Sequence, residues 1–78
     1  MSSDHLIATE QTVTEFAVIR FVDGWRILAG ARRWGRFSYR VDAEEAALRL
    51  AADARAGGRN AQVLVQGSDG QLRRLDVA

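Results

Sequence analysis

The chain has 78 residues, a formal net charge of +1 and neither cysteine nor proline. That length holds one domain with a thin core, and the missing cysteine removes disulfides and thiolate metal sites together. His5 is the sole imidazole, which argues against a structural zinc, and no signal-peptide pattern or long apolar run is present, so a cytoplasmic protein is expected.

Met1 to Thr12, MSSDHLIATEQT, is polar apart from Leu6-Ile7-Ala8 and reads as a disordered leader, with a single domain expected from 13 to 78. Val13 to Val22, VTEFAVIRFV, is rich in β-branched and aromatic residues and reads as the first strand. Asp23-Gly24 then separates it from a second apolar run, WRILAG, which is the pattern of a two-residue hairpin turn. On that register Val22 faces Trp25, Arg20 faces Ile27 and Val18 faces Ala29, while Ile19, Phe21, Arg26 and Leu28 occupy the other side. After a turn at Ala31 to Arg33, Trp34 to Val41 alternates as a third strand. Phe37, Tyr39 and Val41 are expected on one face of it, and Trp34, Arg36, Ser38 and Arg40 on the other.

Asp42 to Gly58, DAEEAALRLAADARAGG, reads as the one helix. Asp42 is placed to cap it with Glu45 reaching back, Glu45 and Arg49 stand four apart as an ion pair, and Gly57-Gly58 stops it. Ala43, Ala46, Ala47, Leu50, Ala51 and Ala54 form its apolar face, with Leu48 on the flank. A face of alanines brings little area of its own, so it must lie close against larger side chains from a sheet. Ala61 to Gln66 and Gln71 to Val77 complete the pattern as two strands joined by Gly67-Ser68-Asp69-Gly70.

The element order βββαββ implies an α+β domain: an antiparallel sheet of four to five strands with one helix on one face. One helix shelters one side only. Ile19, Phe21 and Leu28, with help from Leu64 or Leu75, are then left to build an apolar patch on the other side unless a β-bulge returns them to the core.

The turn Asp23-Gly24-Trp25 with Ile27 after it, the Phe37 strand leading to Asp42, the helix positions Glu45-Ala46 and Ala51, Gly58, and Val63-Leu64-Val65 closing on Gly67-Ser68-Asp69-Gly70 together resemble a family. It is the small bacterial domains of unknown function filed under the number twenty-one eighty-eight, and the resemblance runs from about Phe16 to Asp76. It implies a ββ(β)αββ domain and no activity. The chain departs from that pattern in carrying arginine where lysine is common and in its longer leader.

Two functional readings follow from the residues, and neither is enzymatic: there is no nucleophile with a base, no carboxylate pair in a cleft and no metal-ligand set, Glu44 and Glu45 serving the helix start. No cofactor, membrane or small-molecule substrate is implied. The first reading is a protein-interaction or self-association module, a homodimer through the apolar sheet face at Ile19, Phe21 and Leu28. The alternative is binding of DNA or RNA. Between Arg20 and Arg40 six arginines stand against one aspartate, interleaved with Trp25, Trp34, Phe37 and Tyr39, and Arg26, Arg32, Arg33, Trp34, Arg36 and Arg40 would neutralise phosphates and stack bases. Because all 11 basic residues are arginine, genomic base composition also accounts for part of this pattern, though not for the clustering.

Overall fold

The computed structural model describes residues 13–75. The leader expected over 1–12 and the end of the fifth expected strand at Asp76 and Val77 lie outside them.

The described chain runs β1 (Val13–Phe21), β2 (Gly24–Ala29), β3 (Arg32–Phe37), α1 (Arg40–Ala56), β4 (Asn60–Gln66) and β5 (Leu72–Arg74). The βββαββ order and the α+β class are therefore as expected. All five strands form one sheet, in the order β3-β2-β1-β4-β5. The sheet is mixed, which corrects the expectation of a purely antiparallel one. Strands joined by short turns do pair antiparallel. The central pair, β1 with β4, is parallel, with Phe16 beside Val63 and Val18 beside Val65. The cause is the link: β3 reaches β4 through a whole helix, and a crossover of that length returns the chain in the same direction.

The first hairpin closes one residue earlier than expected. Phe21 pairs with Gly24, Arg20 with Trp25 and Val18 with Ile27, so Val22 and Asp23 are the turn and Gly24 takes the positive φ, +136°. Each residue's partner moves by two positions, and a slip of two keeps every side chain on its own face. Val18, Trp25, Ile27 and Ala29 thus remain together, as do Ile19, Phe21, Arg26 and Leu28.

In β3 the expected alternation fails. Its pairing with β2 shifts between Trp25 and Ile27, so that Phe37 pairs with Trp25 and Trp34 with Ile27. Gly35 carries this bulge at φ +65°. Trp34 and Phe37, three apart and on opposite sides of a regular strand, both turn toward the helix and pack on the core.

The helix begins at Arg40, two residues before the expected start, with Tyr39 as N-cap and no side-chain cap. Asp42 is consequently a first-turn acid favoured by the helix dipole rather than a capping residue. The helix pairs Arg40 with Glu44, 3.2 Å apart, in place of Glu45 with Arg49 among the described residues. Its end is as read: Arg59 N–H donates to the Ala54 carbonyl and Gly58 N–H to that of Arg55, a Schellman arrangement with Gly58 at φ +88°. The apolar face is also as read. Ala43, Ala47, Ala51 and Ala54 are buried, and Ala46 and Leu50 pack beside them. The bulk of the core comes from the sheet, from Phe16, Val18, Ile27 and Val63.

Candidate interaction surface

With α1 across one side, the other side of the sheet is built from the strand residues that alternate with the core. Pairing aligns one row across all five strands: Arg33, Leu28, Ala17, Leu64 and Arg74. The row is apolar in the middle and basic at both ends. Beside it stand Ile19, opposite Arg26, and then Phe21 at the hairpin end. Ile19, Phe21, Leu28 and Leu64 are half-buried by their neighbours in the sheet, and none belongs to the buried core beneath the helix. Leu72, opposite Gln66, extends the apolar area and is 47% exposed. Leu75, named as an alternative contributor, packs on the core side instead.

The structure therefore brings Ile19, Phe21 and Leu28 together on the uncovered face. A bulge does exist, but it acts on β3 and returns Trp34 to the core. Ala17, Leu64, Leu72 and Arg74 complete the surface. The local pattern could not assign Ala17 a central place, because its row depends on the parallel pairing of β1 with β4.

The basic window is divided. Arg26 and Arg33 are on the uncovered face, and Arg26 stacks over the Phe21 ring at 4.7 Å while both its carboxylate contacts, 2.8 and 3.0 Å, go to Asp23. Arg36 reaches the same carboxylate at 3.7 Å. Arg32 lies on the helix side over Trp34, 5.2 Å from the ring centroid, and Trp34 meets Phe16 edge to face at 5.8 Å. Arg40 is on the helix itself. The expectation that Trp34 shares an outward face with Arg36 and Arg40 is thus overturned by the single extra residue of the bulge.

Both sheet edges carry arginine: Arg32, Arg33 and Arg36 on β3, Arg73 and Arg74 on β5. Like charges along an edge oppose the addition of an identical strand, so the edges are guarded while the face is not. The β4–β5 loop is closed by Gly67 N–H donating to the Gln71 carbonyl at 2.8 Å. Asp69 accepts from the Gln71 N–H at 3.0 Å and from Arg73 at 3.2 Å, and these contacts, the backbone one first, hold its carboxyl below the ordinary aspartate value.

Among the described residues no cluster of three or more His, Cys, Asp or Glu is placed to hold a metal, and no helix is long and apolar enough to cross a membrane. Compared with protein-family models, curated proteins and solved structures, the chain finds no match.

Proposed function

We propose that this domain is a non-enzymatic self-association module that pairs with a second copy through its uncovered sheet face. The observation that supports this most is the row Leu28, Ala17, Leu64 with Ile19 and Phe21 beside it, on a face that no described element covers. Five strands about 4.8 Å apart, each contributing about six residues of ~3.3 Å, span a face on the order of 24 by 20 Å. At roughly 480 Å² that falls below the low end of stable interfaces, about 600 Å² per partner, and in the range of weak, transient pairs. The pair is therefore expected to be reversible, and the guarded edges direct association to the face. The family resemblance carries no activity into this reading, and the division of the basic window between two faces leaves nucleic-acid binding with less support.

The absence of cysteine makes a clean test available. Ala17→Cys puts a single thiol at the centre of the face, and under mild oxidation it should give a covalent dimer far faster than Asp53→Cys on the exposed side of the helix. Equal and slow cross-linking of the two variants would remove this reading.

A further inference from the structure

We infer that the chain also carries a cleft that binds a phosphate group, free or at the end of a small ester, formed between the start of the helix and the β4–β5 loop. The cleft measures about 300 Å³ and is lined by Arg20, Trp25, Arg40, Gln66 and Ser68 with Gly67 and Gly70. Four separate parts of the chain meet there. Arg20 ends the core-facing series of β1, Trp25 opens that of β2, Arg40 is the first residue of α1, and Ser68 belongs to the loop between β4 and β5.

Packing and hydrogen bonds position part of the lining. Trp25 packs on the core and presents a flat apolar surface, and the Arg20 guanidinium stands 6.0 Å from its ring centroid. Gln66 ties the strand to the loop: its Oε1 accepts from the Arg20 backbone N–H at 3.0 Å, and its amide nitrogen donates to the Gly70 carbonyl at 3.5 Å.

The charge is positive and only partly compensated. Among the described residues Arg20 makes no ion pair, and Arg40 makes one, through its Nε to Glu44. A guanidinium has five donors, so one carboxylate does not exhaust it. No carboxylate lines the cleft: Asp69, the acid of the loop, is engaged by Gln71 and Arg73. Two arginines and a serine line this one space, and guanidinium and hydroxyl donors suit a tetrahedral oxyanion, for which charge-assisted donors are the strong ones. The volume is at the low end for small-molecule sites, roughly 300 Å³ and upward, which suits a phosphate with a compact body resting on Trp25.

Isothermal titration of the full chain with inorganic phosphate and, separately, with 5′-AMP tests this. Saturable one-to-one binding of either probe is expected, weakened about ten- to a hundredfold in Arg20→Gln and again in Arg40→Gln, with a smaller loss in Ser68→Ala. Arg33→Gln, on the opposite face, should bind as the unaltered chain does. Binding of phosphate alone would identify a free anion as the ligand, and tighter binding of 5′-AMP a small ester. No saturable binding of either probe at millimolar concentration would overturn the proposal, as would equal weakening in Arg33→Gln, or uptake of a single-stranded oligonucleotide by a chain that binds neither small probe. Arg20 and Trp25 lie on the helix side of the sheet and Ile19, Phe21 and Leu28 on the other, so neither result decides the other.

Discussion

Gly24 and Gly35 show how single residues set this structure. A Cβ on Gly24 would stand 2.3 Å from the Phe37 carbonyl oxygen, and its φ of +136° is closed to other residues. Gly24→Ala should therefore cost about 2 kcal/mol or more in urea unfolding. Gly30→Ala, at φ +60° with open space around it, should cost only about 1 kcal/mol. Equal costs would contradict the close approach of β3 to the hairpin. Asp69 supplies a pH dependence. Its folded-state value is depressed, so its contribution is complete above the ordinary aspartate value and is lost as pH falls through the folded-state value. Thermal unfolding of Asp69→Asn and the unaltered chain should thus differ at neutral pH and converge in acid, and a gap independent of pH would contradict it. The alanine face was legible residue by residue, since a helix repeats every 3.6 positions whatever surrounds it. Trp34 was not, because one bulged residue reverses a period of two and only the pairing with β2 reveals it.

At the scale of elements, existence and type were readable and boundaries less so. The helix starts two residues early: the Ala43 N–H makes the first intrahelical bond to the Tyr39 carbonyl at 3.3 Å, so Tyr39 is the N-cap and Asp42 falls inside the first turn. The hairpin turn moved from Asp23-Gly24 to Val22-Asp23 because Gly24 supplies the positive φ just after the turn rather than within it. The close seating of α1 on the sheet rests on alanine, and Ala47 is wholly buried. Ala47→Leu should overpack this contact and cost about 1–3 kcal/mol in urea unfolding. Leu48→Ala, one position on and 38% exposed, should stay within roughly 0.5 kcal/mol. A neutral Ala47→Leu would mean the helix is not held as tightly as its alanine face requires.

For the whole molecule, what the sequence could not show was strand order. Nothing local tells β4 to enter beside β1 rather than at the edge, and the parallel pairing that results places Leu64 next to Ala17 and Leu28. The two-sided hairpin was readable, so an apolar face was expected, but its breadth across the sheet was not. The cleft at Arg20, Arg40 and Ser68 was equally hidden, its members being far apart in the chain. Pairing through the uncovered face is tested most directly by sedimentation equilibrium of the unaltered chain and of Phe21→Glu over a wide concentration range. Such pairing gives a mass rising from one chain toward two with concentration, and a Phe21→Glu chain that stays folded and monomeric throughout. An unaltered chain that remains monomeric at its highest concentration, or a Phe21→Glu chain that pairs as well, would contradict it.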